Sequence, residues 1–277
     1  MNISNPDPSL VEVELPASIQ QIYETFIEDH KYQEAIWLLQ VYGYSKEAAY
    51  IEQWLQHSMS TANAISKEVL GGGATNTYLL TLDNGIAGVF KPKQFNPSAN
   101  LNSEAGAYQL DQLLDLNIVP CTVIRKVHFF KQEGSFQYFV ADAQLASSLE
   151  KEKQIKPVTM LLLDFLMENR DRYAGNYMYL GLLNKMVAID NGWGLRGNGI
   201  VETIKGFFID RRAWKQRWGQ MSFPPDQEFD QNHYFKLRDL EKPILLETFI
   251  PLIGTIATHR LLDRQKKVLD ALNLAYL

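Results

Sequence analysis

Hydrophobic positions between Ala17 and His57 recur at helical spacing: Ile19, Ile22, Tyr23 and Phe26, then Ala35, Leu38 and Leu39, then Ala48, Tyr50, Ile51, Trp54 and Leu55. Breaks at Asp29-His30 and Gly43-Tyr44-Ser45 divide the stretch, so a period near 3.6 predicts about three short helices. The pattern changes at about Ser66. In "SKEVLGGGATNTYLLTLDNGIAGVFKPK", β-branched and aromatic runs flank Gly71-Gly72-Gly73, and an Asn84-Gly85 pair follows. Asn-Gly between strand-like runs predicts a hairpin, with both residues at positive φ in a type I′ turn.

Helical spacing returns in "NSEAGAYQLDQLLDL", which Asn102 or Ser103 can cap. Two more strand-like runs, "IVPCTVIRKVHFF" and "SFQYFVADAQL", are separated by a turn at Gln132-Glu133-Gly134. Beyond Lys156 the pattern is mostly helical: "PVTMLLLDFLMEN", a helix around Asp210 to Gln220, and two apolar helices from about Lys242. The exception is "YMYLGLLNKMVAI", which reads as a two-stranded ribbon turning at Gly181 to Lys185. Helices, then a β-rich segment with one inserted helix, then a helical segment predict an α+β chain of two lobes with a cleft between them. The expected divisions are an N-terminal helical extension over 1–60, a small lobe over 61–143 and a larger helical lobe over 144–277.

Composition narrows the function classes. With 277 residues, 46% of them hydrophobic, the chain buries a substantial core. A formal charge of -5 excludes general affinity for nucleic acid. One cysteine, Cys121, forms no internal disulfide. "MNISNPDPSLVEVELP" has no basic region followed by an apolar core, and no run approaches the ~20 apolar residues of a membrane span. The expectation is a cytoplasmic protein without a transmembrane segment.

The chemistry-bearing residues lie around the ribbon, in "NRDRYAGN" and "VAIDNG". Asp171 and Asn176 are five apart, and Asp190 follows fourteen later. This is the arithmetic of the kinase catalytic loop, R-D-x-x-x-x-N, followed by a hairpin and a metal-binding aspartate. Phosphoryl transfer needs a carboxylate beside the attacking hydroxyl and oxygen ligands that hold a divalent cation against the phosphates. Asp171 has the first role in this reading, and Asn176 with Asp190 the second. The upstream chain supplies matching parts in the right order. "GGGATN" offers backbone N–H groups to phosphates. Lys91 ends "GVFK", with Val89 on the same strand face to pack on an adenine and Lys93, also on that face, as a competitor. Glu104 stands early in the next helix, placed either to pair with the lysine or to favour the helix dipole.

Together these motifs resemble the atypical branch of the protein-kinase-like fold: the phosphatidylinositol 3- and 4-kinases, the HipA-like toxin kinases and the secretory-pathway protein and glycan kinases. The resemblance spans about Ser66 to Gly199 and implies a bilobal kinase-like fold, ATP, and Mg²⁺ or Mn²⁺. It also implies residue roles. Gly71, Gly72 and Gly73 with Thr75 and Asn76 would lie over the phosphates, Lys91 would contact them, and Glu104 would position Lys91. Backbone near Phe139 to Ala141 would meet adenine, Asp171 would act as catalytic base, and Asn176 and Asp190 would hold the metal. Tyr173 replaces the histidine many relatives carry after Asp-Arg, and Asn169 stands where eukaryotic kinases place histidine. The implied activity is transfer of the γ-phosphate of ATP to a hydroxyl of a protein, lipid or small molecule. The alternatives are transfer of AMP or another group on the same scaffold, and a non-catalytic nucleotide-binding scaffold.

Two further stretches remain open. "GWGLRGNG" is either a substrate-gating segment or a surface loop. "DRRAWKQRWGQ", with Arg211 and Lys215, and Trp214 and Trp218, each four apart, either meets an anionic substrate or membrane interface or packs its tryptophans inward. The N-terminal helices either brace the small lobe or recruit a partner.

Overall fold

A computed structural model of the chain describes residues 8, 11–71, 76–93, 100–151, 154–195 and 231–275. Gly72, Gly73, Thr75, the glycines at 197 and 199 and the stretch Asp210 to Gln220 lie outside them.

The N-terminal helices are α1 (Ala17–Glu28), α2 (Tyr32–Val41) and α3 (Ser45–Thr61). They are separated at His30 (φ 60°) and Gly43 (φ 82°), where left-handed backbone ends each helix. Strands β1 (Ala64–Leu70), β2 (Thr77–Leu82), β3 (Ala87–Pro92), β4 (Thr122–Lys126) and β5 (Glu133–Tyr138) form an antiparallel sheet in the order β1-β2-β3-β5-β4. Helix α4 (Leu101–Leu114) is inserted between β3 and β4. The second region holds α5 (Val158–Met167) and a small sheet of β6 (Gln144–Leu145), β7 (Tyr177–Leu180) and β8 (Lys185–Ala188). Helices α6 (Gln231–Asp239), α7 (Lys242–Ile253) and α8 (Thr255–Ala275) complete it. The two C-terminal helices expected from Lys242 are α7 and α8, and α6 precedes them.

Register explains which face of β3 carries chemistry. Phe90 pairs with Tyr78 on one side and Phe136 on the other, and Leu80 pairs with Gly88. Directly paired residues share a face, so this row buries Leu80, Phe90 and Phe136 completely. Val89 and Lys91 project to the opposite face. Gly134 pairs with Pro92 where the strands run close: a Cβ there would lie 2.4 Å from the Lys91 carbonyl oxygen.

Hydrogen bonds tie the N-terminal helices to this sheet and to α4. The Tyr108 hydroxyl donates to Glu52 (2.7 Å) and accepts from Gln56 (2.7 Å). Arg125 on β4 donates to the carbonyls of Met59 (2.5 Å) and Ala62 (2.6 Å). The N–H of Cys121 donates to the Gln33 side chain (2.7 Å), and the Tyr138 hydroxyl to the His30 carbonyl (2.8 Å). Trp37 is buried, and Tyr50 and Trp54 pack partly buried against the same core.

Three local expectations are corrected. The Asn84-Gly85 hairpin is a three-residue loop in which only Gly85 has positive φ (84°), with Leu82 accepting from the Gly85 N–H (3.0 Å). A type I turn followed by a left-handed glycine replaces the type I′ turn. Asp83 causes the difference, because both its carboxylate oxygens are held by Asn63, at 3.2 and 3.0 Å. The turn placed at 132–134 lies earlier, over 127–132, since Phe130 folds back against Phe90 (centroids 4.8 Å) and Tyr78 (4.7 Å). The cap of α4 is Asn100, whose side chain accepts from the Asn102 N–H at 3.1 Å, and not Asn102 or Ser103.

Glu34 on α2 is fully buried, and burial pushes its carboxyl from 4.5 up to about 7. A carboxyl that binds its proton more tightly when folded contributes stability that is complete below 4.5 and is lost as pH rises through about 7. Urea unfolding from about pH 5 to about pH 8 should therefore show falling stability, with a contribution from Glu34 on the order of 3 kcal/mol. Glu34→Gln should make the decline shallower without abolishing it, since the buried Asp111 carboxyl is raised as well. An unchanged slope in that variant would refute the assignment.

Candidate active site

The elements converge on one lysine. Lys91, near the end of β3, places Nζ 2.5 Å from Glu104 Oε1 on α4 and 2.8 Å from Asp190 Oδ1, two residues past β8. Its side chain is 14% exposed, whereas that of Lys93 is 61% exposed and lies 3.8 Å from Glu133. Burial alone would lower the Lys91 ammonium, but the carboxylates of Glu104 and Asp190 outweigh it and hold the group well above the usual lysine range. The other Glu104 oxygen accepts from the Asn191 N–H at 2.8 Å. A single buried glutamate thus bonds both β3 and the segment after β8.

A second network lies behind the loop between α5 and β7. Arg172, buried, donates through Nε to both oxygens of Asp164 on α5, at 3.1 and 3.2 Å. Its Nη1 donates to the carbonyls of Asn176 and Ile189, each at 2.5 Å, and its Nη2 to the Asn191 side chain. The Asn169 side chain reaches Asp164 (3.3 Å) and accepts from the Asp171 N–H (3.1 Å). Asn176 Nδ2 donates to the Asp171 carbonyl (2.7 Å) and carboxylate (3.2 Å). The β7-β8 hairpin, closed through Asn184 at φ 48°, returns the chain so that Ile189 N–H bonds the Asn176 carbonyl at 3.3 Å. Contact therefore runs unbroken from Lys91 through Glu104, Asn191, Arg172 and Asn176 to Asp171.

Lys91, Glu104 and Asp190 meet directly, and Asp171 meets Asn176. Val89 is half-buried on the same strand face as Lys91. Gly71 follows β1, exposed, and Asn76 directly precedes β2. Phe139 and Ala141 lie in the connection after β5, but the Phe139 N–H is already donated to the Ala87 carbonyl (3.0 Å), which leaves only the carbonyl of that residue for a base. Tyr173 is exposed, and its ring lies over Gly175, where a Cβ would come within 2.5 Å of a ring carbon. Sequence reasoning missed Arg172, Asp164 and Asn191. One signal was available: an arginine directly after Asp171, eight residues beyond an aspartate in an otherwise apolar helix, has a buried partner within reach.

No family model matches the chain, and no curated protein does. Solved structures do. The structure of hydra Fam20 with sugar superposes at a TM-score of 0.56, with 16% identity, over 82% of this chain and 89% of that one. The Golgi casein kinase superposes at 0.56, with 13% identity, over 98% and 93%. The same kinase with Mn/ADP bound superposes at 0.50, with 14% identity, over 98% and 92%. The chain has the fold of these structures, α+β with a β-sheet lobe and a helical lobe.

Burial raises the Asp164 carboxyl even though Arg172 pulls it down, so this ion pair has little solvation to fall back on. Removing one partner should leave an uncompensated charge: Arg172→Met is expected to lower stability by about 3–5 kcal/mol in denaturant unfolding. Adding Asp164→Asn to Arg172→Met should recover part of that loss. Equal stability of Arg172→Met and the wild type would show that the network carries no load.

Proposed function

We propose that the chain is an ATP- and divalent-metal-dependent kinase of the atypical class, transferring the γ-phosphate to a hydroxyl of a protein, lipid or small molecule. The carrying observation is Lys91 held between Glu104 and Asp190 and connected by continuous hydrogen bonds to Asp171 and Asn176. A hydrolase or a simple binding module has no need of a buried lysine joined to two carboxylates from separate elements beside a catalytic-loop aspartate.

The donor set fits a hard divalent cation. Among the described residues no group of three or more His, Cys, Asp and Glu gathers into an all-protein cage. The cleft instead offers Asp190, with one oxygen on Lys91 and the other unpaired among the described residues, and the side-chain oxygen of Asn176, whose nitrogen is turned to Asp171. One or two protein oxygens, with the remaining positions left to phosphates and water, is the usual holding of Mg²⁺. The Mn/ADP in the Golgi casein kinase structure supports this assignment. When bound, the metal neutralises charge on the β- and γ-phosphates.

The chain's own residues do the rest. Lys91 presents a charged ammonium to the phosphates, preorganised by Glu104 from α4. In this reading the connection between β1 and β2, which carries Gly71, Gly72, Gly73, Thr75 and Asn76 in sequence, is the segment that would meet the phosphates. Val89 packs on the adenine, whose edge meets the backbone between Phe139 and Ala141. Asp171 accepts or orients the proton of the attacking hydroxyl, its backbone fixed by Asn169 and Asn176. The sugar in the hydra Fam20 structure supports keeping small-molecule hydroxyls among the acceptors. Among the described residues no helix is long and apolar enough to cross a membrane. We place the chain in the cytoplasm, supported by its single, buried Cys121.

Asp171→Ala should bind Mg-ATP within about threefold of wild type while transfer from γ-labelled ATP into lysate acceptors falls by about 10²–10⁴-fold. Asp190→Ala should lose the metal-dependent part of nucleotide binding by calorimetry. Full transfer by Asp171→Ala would overturn the role given to it, and a product carrying AMP by mass spectrometry would replace phosphoryl with nucleotidyl transfer.

A further inference from the structure

A cleft of about 780 Å³ opens on a part of the molecule that the proposed reaction does not use, between α2, the C-terminal end of α4, the start of β8, and α6 with α7. Its size falls within the range of small-molecule sites. Trp37, Val41, Phe235, Leu240 and Ile244 give it an apolar side, and polar groups such as Gln40, Asn117 and Asn232 line the rest. Val41, Phe235 and Ile244 are 69%, 42% and 41% exposed, so they form an uncovered apolar rim among the described residues. Lys185 stands at the inner wall, its Nζ 5.1 Å from the centroid of the Trp37 ring.

The charges around the cleft are unequal in how well they are matched. Asp115 is paired with Lys236 at 2.6 Å, and Asp239 with Arg238 at 2.6 Å. His233 directs Nε2 to the Asp115 carbonyl at 3.2 Å. Lys185 has no ion pair or hydrogen bond among the described residues. The acid acting on it is Asp111 on α4, whose Oδ1 accepts from the N–H groups of Ile118 (2.9 Å) and Val119 (3.1 Å) and whose Oδ2 is buried with no hydrogen-bond partner among the described residues. Burial lowers the Lys185 ammonium more than Asp111 supports it. A desolvated cation over an aromatic ring thus faces the cleft with no anion in salt-bridge contact among the described residues.

We propose that this cleft is a second ligand site, which takes a small molecule with one carboxylate head on an apolar body, the head on Lys185 and the body against Trp37, Val41, Phe235 and Ile244. A single negative charge suits the site, because Asp111, Asp115 and Asp239 stand nearby and the other cations are already paired. The site is independent of the kinase reading and holds whether or not the chain transfers phosphate.

The test is calorimetric titration of the full chain with decanoate and, separately, with decanol. Decanoate should bind saturably at one per chain and about tenfold or more tighter than decanol. Lys185→Met should bring decanoate to the level of decanol and leave decanol unchanged. Lys185 faces a buried acid, so a second variant at the exposed rim, Val41→Asp, serves if the first fails to fold; losing the apolar contact weakens both probes, and its added charge should weaken decanoate about tenfold more than decanol. Absence of saturable decanoate binding, equal affinity for both probes, or wild-type decanoate affinity in the folded variants would overturn the site.

Discussion

The ammonium of Lys91 organises the molecule. Taken from water without partners it would cost several kcal/mol, so the fold is stable only if anions reach it from elsewhere. Here they come from two directions: Glu104 from the first turn of α4, and Asp190 from the end of the β7-β8 hairpin. A strand of one lobe, a helix inserted in its sheet and a hairpin of the other lobe must therefore meet at one point. That convergence defines the cleft.

Arg172 does for the back of the site what Lys91 does for the front. A planar guanidinium with five N–H donors can bond several acceptors in one rigid fork, which an ammonium on a flexible stem cannot. It is used here to join α5 through Asp164, the catalytic-loop backbone at Asn176, and the segment after β8 at Ile189 and Asn191. Asp171, Asn176 and Asp190 owe their positions to backbone held from behind by a residue that has no role in the proposed chemistry. Because Asn191 also bonds Glu104 through its N–H, the two hubs share a residue, and a shift at either is felt at the other.

Much of this was legible in the sequence because it depends on local pattern. Helical periodicity placed α1 to α5, and the apolar ribbon between Asn176 and Asp190 is the β7-β8 hairpin. Lys91 over Lys93 was left open, since alternate strand positions share a face and only tertiary burial separates them. What was missed depends on partners distant in sequence. The Asn84-Gly85 pair carries a type I′ signal, but Asp83 is bonded to Asn63 twenty residues earlier and selects another turn. The β4-β5 turn moved because Phe130 found Phe90 and Tyr78. Arg172 had no reading from the sequence, because its partners Asp164, Ile189 and Asn191 lie eight to nineteen residues away along the chain.

Helix α4 carries two buried acids, Glu104 near its start and Asp111 further along, and the lysines they face are satisfied differently. At the Glu104 end Lys91 has two carboxylates in contact and stays firmly charged. At the other end Lys185 has an aromatic ring and one acid already bonded to backbone, and its ammonium is weakened. Both lysines are buried to a similar end; the difference is the number of anions within reach. A fold that had only to be stable could replace Lys185 with an apolar residue of similar length, which would match the walls around it. Its place at the wall of a cleft that is open among the described residues, beside the same helix that supplies Glu104, is what the proposed ligand role accounts for.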